Sequence, residues 1–173
     1  MMAAPLRIAF IGKMASGKSH ASSLLTALRP DVAELSFATP IKAIASTHFG
    51  MGKQDKDRRL LQVIGNTGRI IQPRVWIDAL VQRLEPLKSY VVTDARFKNE
   101  VEALKSCGFR VVYLNVDQQT RVNRLRRVYK DDAVRHIQNM NDVSEVQLCP
   151  ADGDDVWSNT DQEELMRRIQ ALV

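Results

Sequence analysis

The feature that most constrains this chain is the segment GKMASGKS at residues 12–19, which matches the pattern GxxxxGK[ST] at every fixed position. The apolar run LRIAFI at residues 6–11 precedes it, and residues 19–28 after it carry leucines at helical spacing. A glycine-rich loop between a buried strand and a helix is the context in which this pattern binds nucleotide phosphates. The alternative is a glycine-rich turn without a ligand, and the context makes it the weaker interpretation.

Each kind of residue in this loop has a physical role in binding phosphate. Glycine lacks a Cβ, so Gly12 and Gly17 let the backbone turn tightly around an anion. The N–H groups of the loop and the positive N-terminal end of the following helix attract negative charge. Lys18 is predicted to reach the β- and γ-phosphates of ATP, and the Ser19 hydroxyl to bind Mg²⁺. The predicted cofactor-binding residues are Gly12, Lys13, Met14, Ala15, Ser16, Gly17, Lys18, Ser19, Arg124 and, only as a neighbour in sequence, His20.

The apolar pattern alternates between strand and helix along the chain. Further strands are predicted at residues 34–38, 89–93, 109–116 and 156–159, and helices at 41–49, 55–64, 76–84, 99–106, 118–129 and 162–172. The segment GNTG at residues 65–68 is predicted to interrupt the helical pattern. The predicted fold class is α/β, a P-loop NTPase fold with a central parallel sheet of about five strands flanked by helices. Residues 1–173 are predicted to form one domain, with a helical lid at about residues 117–148.

The charge of the chain bears on the class of ligand that it binds, and its cysteines bear on the cellular compartment. The net charge is +5, but the basic residues outside residues 121–130 are dispersed, which favours small phosphates over a polynucleotide. Cys107 and Cys149 are isolated, which fits a reducing cytoplasm. No apolar run approaches the roughly 20 residues of a membrane span, and the N-terminus lacks the pattern of a signal peptide. We therefore expect a cytoplasmic protein, in the host cytoplasm if a virus encodes it.

A second polar cluster follows the predicted strand SYVVT at residues 89–93. The carboxyl ends of parallel strands line the ligand crevice, so Asp94 is predicted to face the phosphate loop and to hold Mg²⁺ through water or orient the accepting oxygen. Arg96 is a candidate to grip a phosphate with two hydrogen bonds. Asn99 and Glu100 are candidates to orient Arg96 or contact the substrate. The alternative is that Asp94 caps the next helix and that its neighbours support the turn.

A basic helix supplies the candidate lid. Arg121, Arg124 and Arg127 recur every three residues and share a broad face of the helix predicted at residues 118–129. Arginines on a segment that closes over ATP would neutralise phosphate charge and exclude water. The alternative is a solvated basic face. The residues predicted to be catalytic are Lys18, Asp94, Arg96, Arg121 and Arg124, and the predicted metal ligands are Ser19 and Asp94.

Candidates for binding the acceptor come from two further segments. Phe37 and Lys42 flank the carboxyl end of the second predicted strand, and Arg69 follows the glycine-rich break. Trp76 could stack on a base, with a core tryptophan as the equal alternative. The predicted substrate-binding residues are Phe37, Lys42, Arg69, Trp76, Asp94, Arg96, Asn99 and Glu100.

Several of these segments occur in the order typical of a known family. They are GKMASGKS, FATPIK at residues 37–42, GNTGRIIQPRVWIDAL at residues 65–80, TDARFKNE at residues 93–100 and, more weakly, DVSE at residues 142–145 with residues 156–159. The chain resembles the deoxynucleoside monophosphate kinases encoded by bacteriophages, within the larger nucleoside monophosphate kinase group. The first segment is generic, whereas TDARFKNE together with GRxxxPxxW is more specific.

The resemblance implies ATP-dependent phosphorylation of a deoxynucleoside monophosphate (dNMP), which gives a dNDP and ADP. It also implies substrate contacts near Lys42, Arg69, Trp76, Asp94 and Arg96, lid arginines near Arg121 and Arg124, and a homodimer. No nucleic-acid or membrane partner is implied.

Three other functions remain open from the sequence. One is a P-loop kinase for another acceptor, such as dephospho-coenzyme A or a hydroxymethylated pyrimidine in a nucleotide or in DNA. A second is a nucleotide-dependent switch or ATPase without kinase activity. The third is a nucleic-acid-binding module that uses ATP, which the charge of +5 suggests.

Overall fold

A computed structural model describes residues 5–52, 57–138, 140, 147–159 and 161–173 of the chain. The weak DVSE match at residues 142–145 and part of the predicted lid lie outside these described residues.

The sheet contains five strands in the spatial order β2-β3-β1-β4-β5. Their bounds are β1 Arg7–Ile11, β2 Ala33–Leu35, β3 Tyr90–Val92, β4 Arg110–Asn115 and β5 Asp155–Ser158. Strand β1 pairs in parallel with β3 and β4, and β4 pairs in parallel with β5. The residues of β1, β3 and β4 are nearly all buried, which is expected of central parallel strands covered on both faces. The predicted α/β fold class is confirmed.

Helices separate the strands along the chain. Their bounds are α1 Lys18–Leu28, α2 Ala38–Phe49, α3 Arg58–Ile71, α4 Val75–Val81, α5 Lys98–Ser106, α6 Gln118–Tyr129, α7 Ala133–Gln138 and α8 Gln162–Gln170, with short 3-10 helices at Lys130–Asp132 and Pro150–Asp152. Pro40 lies in the first turn of α2, where its missing N–H costs no hydrogen bond. No described helix is long and apolar enough to cross a membrane.

The described residues fall into two compact units. The first contains Met1–Glu34 and Leu87–Val173, and the second contains Leu35–Pro86. In the first unit, residues of β1, β3, β4 and β5 pack against the buried faces of α1 and α8. This core cluster includes Phe10, Leu25, Trp157, Leu165 and Ile169. The neighbouring strands β4 and β5 are also joined by an Arg110–Asp155 ion pair of 2.5 Å, which lowers the pKa of the Asp155 carboxyl.

The second unit corrects one prediction. The GNTG segment does not interrupt the helix, because α3 runs continuously through Gly65 and Gly68. These glycines serve packing instead of a turn. A Cβ on Gly68 would collide with the ring of Trp76 from α4. The Trp76 indole N–H donates to the Gly65 carbonyl oxygen at 2.9 Å.

Candidate functional site

The candidate site lies at the carboxyl ends of the parallel strands in the first unit. Gly12 follows β1 directly, Asn159 follows β5 directly, and Asp94 and Asp117 each stand two residues beyond the ends of β3 and β4. Because these strands are parallel, their carboxyl ends lie at one edge of the sheet. The phosphate loop therefore connects the central strand to α1, whose first residue is Lys18.

The backbone of the loop has the curvature of an anion cradle. Positive φ angles occur at Gly12 (142°), Ala15 (62°) and Gly17 (94°). A Cβ on Gly12 would lie 2.7 Å from the Leu114 carbonyl oxygen, and one on Gly17 would collide with the Asn159 side chain. The Ser16 hydroxyl is buried and, among the described residues, has no hydrogen-bond partner. Only glycine fits at these two positions, so the loop can pack closely against Leu114 and Asn159 while it keeps the curvature of a phosphate-binding turn.

Lys18 lies against the loop itself. Its Nζ donates to the carbonyl oxygens of Gly12 at 2.7 Å and Lys13 at 3.1 Å. The ammonium group is thus held within reach of an anion in the cradle, and phosphate oxygens would compete with neutral carbonyls for a charged donor. Ser19 and His20, the next residues of α1, are both exposed.

The two predicted lid arginines lie at the phosphate loop. Arg121 is buried, and its Nη1 approaches the Met14 carbonyl oxygen at 3.5 Å. Arg124 donates through Nη1 to the Ala15 carbonyl oxygen at 3.2 Å and through Nη2 to the Asn159 carbonyl oxygen. Burial lowers the pKa of Arg124, although an arginine keeps its charge at neutral pH. Arg127 is exposed to solvent, so Arg121 and Arg124 contact the phosphate loop whereas Arg127 does not share this position.

Asn159 is the site residue that sequence reasoning missed. Its side-chain Nδ2 donates to the Ser16 carbonyl oxygen at 2.6 Å, and the residue is only 4% exposed. Its main-chain N–H donates to the Asn115 carbonyl oxygen at 3.2 Å. The available signal was its position, because a carboxamide directly after a parallel strand lies at the ligand edge of the sheet.

Asp94 lies beside the start of the loop in the strand register. Ala9 of β1 pairs with Val92 of β3, and Asp94 and Gly12 stand two and three residues beyond these partners. The Asp94 side chain is half-buried. This places a carboxylate at the sheet edge next to the loop, as expected for a group that acts on a bound phosphate or its metal ion.

Glu100 supports the turn that carries Arg96. The Glu100 carboxylate is 2% exposed and accepts hydrogen bonds from the backbone N–H groups of Arg96 at 2.8 Å and Phe97 at 3.2 Å. It therefore caps the N-terminus of α5. The Arg96 side chain is exposed, and so is that of Asn99. These contacts favour the interpretation that Glu100 supports the turn and does not contact a substrate. They also hold the backbone of Arg96 in place.

The remaining candidates belong to the second unit. Phe37 is buried at the start of α2, whereas Lys42 on α2 is exposed. Arg69 on α3 is half-buried. Trp76 is 5% exposed and its indole N–H is already bonded within the unit, which favours the core alternative over base stacking.

The residues of the loop fit a nucleoside triphosphate. The turn with positive φ angles at Gly12, Ala15 and Gly17, the helix N-terminus and the Lys18 ammonium match the geometry and charge of phosphate oxygens. Among the described residues, there is no group of three or more His, Cys, Asp or Glu side chains that could hold a metal ion. Mg²⁺ at nucleotide sites takes most of its ligands from phosphates and water, and Ser19 and Asp94 are the protein groups that could add to them.

Comparison with known proteins gives the fold but no family. No protein-family model matches the chain. Two uncharacterized proteins of Ictalurid herpesvirus 1 (strain Auburn) are similar in sequence. ORF76 is 29% identical over 108 residues (60% of this chain, 45% of that protein), and ORF77 is 32% identical over 116 residues (62% and 49%). The chain spans about half the length of these curated relatives.

Solved structures of small-molecule kinases share the fold. A shikimate kinase from Acinetobacter baumannii superposes with a TM-score of 0.61 at 16% identity, covering 97% of this chain and 90% of that one. A gluconokinase from Sinorhizobium meliloti 1021 gives 0.55 at 17% identity, covering 99% and 93%. The APS kinase CysC of Mycobacterium tuberculosis gives 0.54 at 12% identity, covering 99% and 96%. The chain has the α/β P-loop fold that these kinases share.

Proposed function

We propose that this protein is an ATP-dependent kinase that transfers the γ-phosphoryl group of ATP to a deoxynucleoside monophosphate. The observation that carries the proposal is the phosphate loop, in which Lys18 lies against the loop carbonyls and Arg121 and Arg124 reach the loop from α6. Three cations thus converge on one glycine-rich turn, whereas structural loops gain nothing from such a concentration of positive charge.

The proposed reaction needs positioning and charge neutralisation. An oxygen of the acceptor phosphate attacks the γ-phosphorus of ATP, the bond from that phosphorus to the β,γ-bridging oxygen breaks, and ADP leaves with the bond electrons. Lys18 and the loop N–H groups would hold the β- and γ-phosphates, and Arg121 and Arg124 would stabilise the charge that develops between them. Mg²⁺, held by Ser19 and through water by Asp94, would supply further neutralisation of phosphate charge.

The acceptor half of the proposal rests on the segment after β3. Asp94 lies beside the phosphate loop in the strand register, and Arg96 is exposed on a backbone that Glu100 fixes. The Arg96 guanidinium matches the needs of an anionic acceptor, because a guanidinium can hold a phosphate in two hydrogen bonds.

A kinase with a different small acceptor is the second candidate. The specific observation that favours it is the shared fold of shikimate kinase, gluconokinase and APS kinase. Shikimate kinase and gluconokinase show that this fold supports phosphoryl transfer to acceptors that are not nucleotides.

The two candidates are separated by an acceptor panel. ADP release is measured with Mg²⁺ and ATP in the presence of each dNMP, each NMP, dephospho-coenzyme A, a hydroxymethylated pyrimidine nucleotide or duplex DNA. We expect release that depends on one or two dNMPs. Release that requires an acceptor other than a nucleoside monophosphate would favour the second candidate, and release without any acceptor would indicate an ATPase.

Lys18→Ala tests the catalytic role of the loop with the accepted substrate. Removing a donor that stabilises transition-state charge lowers kcat by about 10²-fold or more. We expect that loss in a variant that still folds, because Lys18 donates to loop carbonyls and does not belong to the buried core cluster. Turnover close to that of the wild type would rule out the proposed mechanism.

A further inference from the structure

Asn159 joins three parts of the first unit. Its side chain bonds to the phosphate loop at the Ser16 carbonyl, its N–H bonds to the end of β4 at Asn115, and its carbonyl accepts from Arg124 of α6. The side chain is buried, and Gly17 lies so close that any Cβ there would collide with Nδ2. A buried carboxamide with such contacts has little freedom to adopt another position.

The bond to Ser16 has a geometric consequence for the loop. A peptide group is planar and trans, so its carbonyl oxygen and the N–H of the next residue point in opposite directions. Asn159 holds the Ser16 carbonyl on its own side of the loop. The Gly17 N–H is therefore turned to the other side, away from Asn159. Arg124 does the same for the preceding peptide by holding the Ala15 carbonyl.

The bond to Arg124 has a consequence for charge. The guanidinium is held between the Ala15 and Asn159 carbonyls, and burial raises the cost of keeping it charged there. Neutral carbonyls compensate a buried charge only in part. The Asn159 carbonyl thus helps to hold the Arg124 guanidinium against the carbonyl side of the loop.

We propose that Asn159 is a positioning residue for ATP: its side chain orients the Ser16–Gly17 peptide so that the Gly17 N–H faces the phosphates, and its carbonyl places Arg124 at the loop. This rests on the ATP-binding half of the proposed function and is independent of the acceptor. Asn159 acts through Gly17 and Arg124 and does not itself contact the reacting atoms.

The test is nucleotide affinity in the Asn159→Asp variant. The substitution keeps the shape of the side chain but replaces the donor with an acceptor that repels the Ser16 carbonyl. The control is Asn123→Asp, an identical change at an exposed position of α6 whose side-chain oxygen only accepts from Gln119. Calorimetric titration with Mg²⁺ and the non-hydrolysable analogue β,γ-imido-ATP needs no acceptor.

We expect Asn159→Asp to weaken binding of the analogue about tenfold or more, the usual effect of leaving a buried polar group unsatisfied, whereas Asn123→Asp binds like the wild type. In the kinase assay the KM for ATP should rise while the KM for the acceptor is unchanged, a separation that general destabilisation would not produce. Wild-type affinity in a folded Asn159→Asp variant would overturn the inference.

A second measurement does not depend on whether the variant folds. In the wild-type chain, the side-chain amide protons of Asn159 should exchange with solvent about tenfold or more slowly than those of Asn123, because a buried hydrogen bond protects them. Equal exchange rates would overturn the inference. If the wild type binds the analogue but phosphorylates no dNMP, the proposed acceptor is wrong and the role of Asn159 stands.

Discussion

Gly17 closes the phosphate loop under two separate restrictions. Its φ of 94° lies in the region that side-chain-bearing residues rarely adopt, and a Cβ there would collide with Asn159. Gly108, in the same unit, has a similar φ of 79° but open space around its Cα. A side chain at Gly108 would therefore cost only backbone strain, whereas a side chain at Gly17 would cost both backbone strain and a steric clash.

Alanine at these two glycines should have unequal effects. Gly108→Ala should lower the free energy of unfolding by about 1–2 kcal/mol, the cost of a left-handed backbone for an L-residue. Gly17→Ala should cost more, because it also displaces Asn159, and it should abolish ATP binding while Gly108→Ala retains it. Urea denaturation and nucleotide titration measure both effects. Equal decreases in the free energy of unfolding would show that the Asn159 side chain can move away from the new Cβ without loss of stability.

At the scale of elements, the glycines of GNTG allow close packing between α3 and α4 and do not form a turn. The ring of Trp76 approaches the backbone of α3 at Gly68, and its N–H bonds to the Gly65 carbonyl. The glycines lower the helix propensity of α3 by roughly 1 kcal/mol each. They are tolerated because the close approach lets a large aromatic side chain pack and satisfy its polar atom.

Gly68→Ala and Gly65→Ala should therefore differ in sign. A Cβ on Gly68 would overlap the Trp76 ring, so this variant should be destabilised by about 1–3 kcal/mol, typical of overpacking. A Cβ on Gly65 would meet only the ends of the Arg69 and Ile41 side chains, at 3.3 and 3.4 Å. Gly65→Ala should gain some of the roughly 1 kcal/mol of helix propensity. Urea denaturation measures the free energy of unfolding of both variants. If both variants were more stable than the wild type, the close contact between Gly68 and the Trp76 ring would be wrong.

At the scale of the whole molecule, ATP should stabilise the folded chain. A ligand that binds only the native state adds about 2.7 kcal/mol of stability at a hundredfold excess over its Kd. We expect Mg²⁺ and ATP to raise the melting temperature of the wild type and to raise that of Lys18→Ala less, because the loop N–H groups remain but one cation is lost. A shift of the same size in Lys18→Ala would show that Lys18 contributes nothing to ATP binding. Thermal denaturation with and without nucleotide makes this comparison.

Much of the fold and part of the site could be predicted from local patterns. The strand before Gly12 and α6 follow from apolar spacing and from turn residues, which act over a few neighbours. The break at GNTG was wrong because glycine marks either a turn or a close contact, and only the position of Trp76 distinguishes them. Asn159 was missed because its partners, Ser16 and Arg124, are distant in sequence.

The phosphate loop could be predicted from the sequence alone, because its glycines, Lys18 and Ser19 act through local backbone geometry and charge. Which distant side chains contact that loop depends on the tertiary structure. Parallel pairing brings the ends of β1, β4 and β5 to one edge, and there Arg121, Arg124 and Asn159 meet the carbonyl oxygens of three successive loop residues. Such contacts depend on strand order and register, which no local pattern of residues specifies.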